Sequence, residues 1–376
     1  MTLPATTLAS TAATRDPIRV LVVDDSVVIR GLLGRWIGEA EGMVSVGAAR
    51  NGRQGVEMVE ALKPDVVILD IEMPEMDGIA ALPEMLRISP RLIVIMASTL
   101  TQRNAEISLK ALSLGAKDYI PKPESQAGIS TSAEFRRALI EKISQLGGLR
   151  RPVRPTLRSL AAGTRLRQGD ELPASTRVFS RMMPRVLAIG SSTGGPPALV
   201  KFFSDLGPAL QRLPVVVVQH MPATFTPIFA QHLQKAAGIP AAEGIHGEPL
   251  QPGRIYVAPG GKHMVVAGSS SAPVIELNSS APIHFCRPAV DPMFASIASL
   301  YGTSALAVVF TGMGSDGAEG GVRIADAGGS VIAQDEATSV VWGMPGATVQ
   351  AGAAAAVLPL DEIAPKVRSL LAGRRA

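Results

Sequence analysis

Cys286 is the only thiol in the 376 residues, which excludes an internal disulfide framework and fits a reducing, cytoplasmic compartment. No apolar run approaches the roughly 18–20 residues a bilayer span needs, so membrane insertion is not expected. The start, "MTLPATTLASTAATRDP", lacks a basic head followed by an apolar core; residues 1–17 read as a disordered tail and not as a secretory signal. Aromatic residues are 4% and charged residues 18% of the chain, against 47% hydrophobic, 37 glycines and 29 prolines. That balance suits α/β folds with buried parallel strands. The net charge of +4 points weakly to nucleic acid, and its placement argues against it. Nine arginines fall between Arg150 and Arg185, opposed only by Asp170 and Glu171, so the remainder of the chain is net acidic. The basicity belongs to one segment, and no nucleic-acid partner is expected.

What is present is an alternation of strand and helix, occurring twice. In the first half "IRVLVVDD", "MVSVGAA", "DVVILD", "RLIVIMAS" and "KDYIPKP" read as strands. Helical patterns stand between them: one opened by Ser26, then "RQGVEMVEALK" and "AEISLKALSLG". The second half repeats the alternation from "RVLAIG" through "PVVVVQ", "RIYVA", "HMVVA", "ALAVVF" and "SVIAQ", with a hairpin inserted around Ala258 to Ile275. Both halves are therefore expected to be doubly wound α/β domains, the second mostly parallel. "STSAEFRRALIEKISQL" can form a helix, and the Arg-, Pro- and Gly-rich stretch after it reads as a linker. The division is a domain over 18–135, a linker over 136–183 and a second domain over 184–376.

In the first domain, polar groups fall at four strand ends: Asp24 and Asp25, then Asp70, Ser98 and Lys122. In a parallel sheet these ends open on one edge, where ligands bind. A single Asp there is commonly a cap or turn former, but five groups in this order make a site. Clustered carboxylates repel one another, and Mg²⁺, which takes oxygen ligands, relieves that repulsion. Asp70 can then receive a phosphoryl group whose charge the metal and Lys122 neutralise, with Ser98 offering a hydroxyl.

The second domain opens with "RVLAIGSSTGGPPALV". Neither a dinucleotide fingerprint nor a P-loop fits it. The pattern that does is G-x-S-x-G around Ser192, a sharp strand-to-helix turn that raises a serine hydroxyl. Capping by Ser191 or Thr193 is the alternative use of the same turn. A serine nucleophile needs a base within hydrogen-bond reach and a carboxylate to orient it. His220 ends the next strand in "PVVVVQHMP", and Asp316 lies in the turn "GSDG" after a later strand. Asp291, in "AVDPM", is the rival carboxylate, with capping of the following helix its expected role. The chain order Ser192, His220, Asp316 is not that of an α/β-hydrolase, so the same chemistry is expected on another fold.

Two resemblances follow from these motifs. Arg19 to about Pro123 resembles a response-regulator receiver domain of flavodoxin-like fold. The resemblance implies Asp70 as phosphoacceptor, Asp25, Asp70 and the Glu72 carbonyl as Mg²⁺ ligands, Ser98 as the switch hydroxyl and Tyr119 as the switch aromatic. "IGSSTGG", "QHMP", "YVAPGGKHM", "VVFTGMGSDGA" and "VVWGMP" resemble the catalytic domain of the chemotaxis protein-glutamate methylesterase (CheB) family. That likeness implies Ser192, His220 and Asp316 as catalytic residues, with Thr193 and Met313 at the oxyanion side. It also implies methylated chemoreceptors as substrate, a sensor histidine kinase as phosphodonor, glutamine deamidation as a second activity, and a receiver that blocks the crevice until phosphorylated. The competing reading is a response regulator whose output half binds a partner without catalysis.

Overall fold

The computed structural model describes residues 16–122, 129–148 and 177–374. By internal contacts the chain divides into two compact units, residues 1–94 with 126–151 and residues 95–125 with 152–376. Most of the expected tail and most of the expected linker lie outside the described residues.

The first sheet has five strands: β1 (Ile18–Val23), β2 (Met43–Ala49), β3 (Val66–Asp70), β4 (Ile93–Ser98) and β5 (Asp118–Pro121), in the order β2-β1-β3-β4-β5. Strands β1, β3 and β4 are Val- and Ile-rich and buried almost throughout, as strands covered on both faces must be. Their helices start where the sequence supplies caps. Ser26, Asn51, Asp77 and Thr101 each accept from the amide three residues on, which satisfies one of the otherwise unpaired donors of the first turn. The helix Gly78–Ile88 carries Pro83 in its interior, which hid it from pattern reading. The helix Ile129–Gly148 runs past residue 136 into the stretch assigned to the linker. Its buried Phe135, Leu139, Ile143 and Leu146 fall at helical spacing, and Phe135 packs on Trp36 with ring centroids 5.7 Å apart.

The second sheet contains β6 (Val186–Ser191), β7 (Val215–Gln219), β8 (Ala241–Glu243), β9 (Ile255–Val257), β12 (Ala305–Val309), β13 (Ser330–Gln334) and β14 (Ala356–Leu358). Their order is β14-β13-β12-β6-β7-β9-β8, with every recorded pairing parallel. The edge strands β8 and β14, three residues each, are too short to leave a periodic signal. The inserted hairpin is β10 (His263–Ser269) with β11 (Ala272–Asn278), antiparallel and a few residues later than Ala258–Ile275. Residues 258–262 instead leave the end of β9, whose Ala258 amide still bonds the Val217 carbonyl. Val290, Phe294 and Ile297 of the helix Val290–Tyr301 share one buried cluster with Ala188, Val218 and Val309 of the sheet. That packing fixes the helix N-terminus against the edge on which β6, β7 and β12 end.

The strand order reverses between β1 and β3 in the first sheet and between β6 and β12 in the second, where β9 also returns between β7 and β8 at the far edge. A crevice opens at such a point beyond the carboxyl ends of the strands, and both candidate sites lie at one.

Candidate functional sites

At the first reversal, Asp24, Asp25 and Asp70 present carboxylate oxygens that all lie within 4.8 Å of one another. Asp24 and Asp70 are buried and Asp25 is exposed. Asp70 ends β3, and the loop holding Asp24 and Asp25 is fixed by its own chain. Ser26 N–H donates to Asp24 Oδ1 (2.9 Å), and Arg30 Nη1 donates to the carbonyls of Asp24 (2.7 Å) and Asp25 (2.8 Å). Three hard oxygen donors this close are a donor set suited to Mg²⁺. Gly78 must be glycine, because a Cβ there would sit 2.0 Å from the Asp70 carbonyl oxygen. Ser98 ends β4 fully buried, and its hydroxyl accepts from Ser108 Oγ at 3.2 Å. The neighbouring Thr99 is exposed and accepts from Asn104 Nδ2. The Lys122 amide donates to the Ser98 carbonyl at 2.7 Å, which ties the ends of β4 and β5 together.

At the second reversal, Ser192 occupies the turn between β6 and the helix Gly195–Leu206. Its amide donates to the Thr311 carbonyl beyond β12, and its carbonyl accepts from the Gly195 amide and from Gln219 Nε2. A Cβ on Gly195 would lie 2.1 Å from Gln219 Oε1, so the turn closes only with glycine there. The two adjacent hydroxyls are in different positions. Ser191 Oγ is fully buried and donates to Gln219 Oε1 at 2.7 Å, whereas Ser192 is half-buried and its hydroxyl bonds to no described residue. Neither Ser191 nor Thr193 caps the helix; the cap position is Gly194, with φ of 77°. Within the second unit, Thr193 Oγ1 donates to Asp118 Oδ2 at 2.6 Å, and the Tyr119 ring stacks on Phe225 at 4.4 Å.

His220 and Asp316 are brought together. His220 Nε2 lies 2.7 Å from Asp316 Oδ2 and must carry the proton, because an ionised carboxylate only accepts. Asp316 is 1% exposed and receives two further donors, the amides of Val290 (Oδ2, 2.6 Å) and Asp291 (Oδ1, 2.9 Å). Burial alone would raise its pKa; the hydrogen bond and charge of His220 and these two amides hold it below the usual carboxylate value.

The other imidazole nitrogen gives an unexpected contact. His220 Nδ1 lies 3.4 Å from Cys286 Sγ, and no hydrogen bond joins it to Ser192. The expected direct Ser192–His220 bond is therefore absent from this arrangement, for a plain reason: one ring nitrogen is held by Asp316 and the other faces the thiol. Burial pulls the imidazole pKa down, but the charge and hydrogen bond of Cys286, together with those of Asp316, outweigh it and push His220 up to about 10. Cys286 arrives on a tight turn closed by Ile283 N–H to Cys286 O (3.1 Å) and Cys286 N–H to Ile283 O (2.8 Å). His284 and Phe285 between them are left-handed, with φ of 49° and 62°, a conformation usually left to Asn-Gly. Sequence reading passed over Cys286 because nothing near it in the chain resembles a thiol site.

Met313, on the loop after β12, is half-buried. Among the described residues, neither its backbone amide nor that of Thr193 donates a hydrogen bond. Gly312 lets this loop approach the serine, since a Cβ there would come within 2.9 Å of Ser192 Cβ.

With these geometries in place, likeness to known proteins separates a catalytic output half from a partner-binding one. Residues 187–367 match the CheB methylesterase family model, and residues 20–134 match the response regulator receiver domain. A protein-glutamate methylesterase/protein-glutamine glutaminase of Rhodopseudomonas palustris is 53% identical over 379 residues, covering 98% of each chain. One from Nitrobacter hamburgensis is 54% identical, covering 98% of this chain and 99% of that one. The chain belongs to the protein-glutamate methylesterase/protein-glutamine glutaminase family. A solved structure, the catalytic domain of Thermotoga maritima CheB methylesterase, is 38% identical, covers 50% of this chain and all of that one, and has a TM-score of 0.48. This methylesterase is thus an enzyme with an N-terminal receiver domain, and the likeness gives no support to a non-catalytic output half. No helix among its described residues is long and apolar enough to cross a membrane.

Proposed function

We propose that Ser192, His220 and Asp316 form the catalytic set of a phosphorylation-controlled esterase acting on methylated glutamate side chains of chemoreceptors. Ser192 Oγ attacks the ester carbonyl, and its proton passes to His220 Nδ1, the ring nitrogen that Asp316 leaves available. The proton is then delivered to the departing methoxide oxygen, and methanol leaves an acyl-serine. Water, deprotonated by the same nitrogen, attacks that acyl group and frees the glutamate and Ser192. The Thr193 and Met313 amides supply the donors for the oxyanion. A glutamine side chain runs through the same steps with ammonia as leaving group.

The observation that supports this reading best is the buried 2.7 Å bond between His220 and Asp316, with Asp316 held by two helix amides. Cys286 must give way at Nδ1 as the serine proton arrives, and His220 must be unprotonated there.

On the receiver, Asp70 takes the phosphoryl group from a chemotaxis histidine kinase, in the cytoplasm. Asp25, Asp70 and the Glu72 carbonyl, with Asp24 beside them in the acidic pocket, would hold Mg²⁺, which when bound neutralises charge on the phosphoryl oxygens. Lys122 shares that neutralisation, and Ser98 binds the modified carboxyl. Modification at Asp70 relieves the restraint on the esterase by a shift of populations. The test is methanol release from radiomethylated receptor, with and without a small-molecule phosphodonor. Release that Ser192→Ala leaves intact removes Ser192 from the reaction, and release indifferent to phosphodonor removes the control.

A further inference from the structure

Asp291, first read as the cap of its own helix, has a different place. It lies inside the first turn of the helix Val290–Tyr301, where Ala289 is the cap residue, and its carboxylate reaches across to another helix. Asp291 Oδ1 accepts from the amides of Gly317 (3.0 Å) and Gly320 (2.7 Å), which open the helix Ala318–Asp326. In return, Asp316, immediately before that second helix, accepts from the Val290 and Asp291 amides of the first. Each helix N-terminus is capped by a carboxylate from the other, and one of the two carboxylates is the partner of His220. Gly320 is part of the fit, because a Cβ there would come within 2.6 Å of Phe294 Cβ and 3.0 Å of the Asp291 carbonyl oxygen.

We infer that Asp291 is a positioning residue for the esterase: it locks the turn carrying Asp316, so that the carboxylate meets His220 Nε2 in the orientation that leaves Nδ1 to the serine. The inference rests on the Ser192–His220–Asp316 reading. Ordinary capping would use one oxygen for a residue's own helix; here one oxygen holds two amides at the start of the helix that follows Asp316. The second oxygen, Oδ2, lies 3.3 Å from His284 Nε2, within ion-pair reach but out of hydrogen-bond alignment. His284 belongs to the same left-handed turn that brings Cys286 to His220. One carboxylate therefore borders both the turn that holds the acid and the turn that touches the base. The titratable groups facing Asp291 are His284 and Asp316, and beyond Asp316 lies His220. Burial first, then the charge of Asp316, raise the Asp291 carboxyl to about 6 against the pull of the glycine amides.

The experiment uses the full-length chain and methanol release from radiomethylated receptor, with kcat, KM and the pH profile measured for Asp291→Ala and Asp291→Asn beside Ser192→Ala. Asp291→Ala is expected to lower kcat by about 10²-fold, the scale of a misplaced catalytic group, with KM within about twofold. Asp291→Asn keeps the Oδ1 acceptor and is expected to recover most of kcat. It also removes a negative charge near the Asp316–His220 pair, so the acid limb of its profile should move to lower pH. An unchanged kcat in Asp291→Ala overturns the inference. So does an Asp291→Asn profile that superimposes on the parent, and this second variant decides the matter if the alanine protein does not fold. Full activity in Ser192→Ala would instead overturn the triad reading itself, whatever the Asp291 variants do.

Discussion

The two sites occupy the same place in two similar sheets and are built on opposite principles. At the β1–β3 reversal, three carboxylates lie within 4.8 Å of one another, two on the loop after β1, whose backbone Arg30 fixes, and the third at the end of β3. A divalent cation relieves their mutual repulsion, so such a donor set is complete only with the cation it takes. At the β6–β12 reversal, the one buried carboxylate of the proposed triad already has three protein donors: an imidazole and two helix amides. The carboxylate end of that arrangement needs no reorganisation when charge develops, although Cys286 has still to leave His220 Nδ1. A switch must answer to something outside itself, whereas a hydrolytic site gains from being assembled beforehand. The difference between the sites follows that division.

The comparison breaks most sharply at Ser192. Ser192→Ala is expected to lower methanol release by about 10⁴-fold or more, the usual cost of losing a serine nucleophile. Phosphoryl uptake at Asp70 from acetyl phosphate, followed by acid-labile labelling, should continue unchanged. Loss of both would mean the two sites are not separable. Next in size is the reverse operation. Asp70→Asn should abolish the labelling and the stimulation of methanol release by phosphodonor, a stimulation expected at about 5- to 150-fold from ordinary coupling energies. Chelation of divalent cations should likewise abolish labelling while methanol release without phosphodonor continues at its usual rate. A chelator that stops both activities would place a cation in the hydrolytic site and remove the contrast.

Much of this contrast was legible in the chain. The strands that lead to Asp24, Asp25, Asp70 and Ser98, and those before Ser192 and His220, are mostly apolar and rich in Val and Ile, because strands buried on both faces select such residues. Local chemistry named the residues at their tips. What the chain did not disclose is pairwise and long-range. Cys286 lies 66 positions from His220, and Asp291 lies 26 from Gly317, so neither contact leaves a spacing to recognise. The left-handed His284–Phe285 turn was hidden for a second reason: it lacks the Asn or Gly that ordinarily marks such a conformation. The Gly78–Ile88 helix was hidden by Pro83, and β8 and β14 by their length.

Cys286 sharpens the comparison by an intermediate amount. With His220 pushed up to about 10, the imidazole is protonated at neutral pH, and the rate should rise with pH until that proton is lost. Cys286 is one of the causes of the upward shift, so Cys286→Ala should lower the pKa and carry the acid limb to lower pH. A displacement of about one unit corresponds to about tenfold more activity at a fixed pH on that limb. The pH dependence of kcat/KM for parent and variant measures this directly. A limb that stays in place, or moves upward, would mean that the thiol does not set the protonation of the base.

The smallest expected effect separates the two neighbouring hydroxyls. Ser191 Oγ donates to Gln219 Oε1 in a fully buried setting, and Gln219 Nε2 in turn supports the Ser192 carbonyl. Ser191→Ala leaves that amide oxygen without its donor, which costs about 1–3 kcal/mol of stability, visible as a lowered midpoint in urea. The rest of the turn survives, because the Ser192 amide remains bonded to Thr311 and Gly195 still closes on the Ser192 carbonyl. Methanol release at a temperature where the variant is folded should therefore stay within about threefold of the parent, since surface and support changes of this size leave the reacting atoms in place. A loss comparable to that of Ser192→Ala, in a protein with parental stability, would transfer the nucleophile to residue 191 and reverse the assignment of the two hydroxyls.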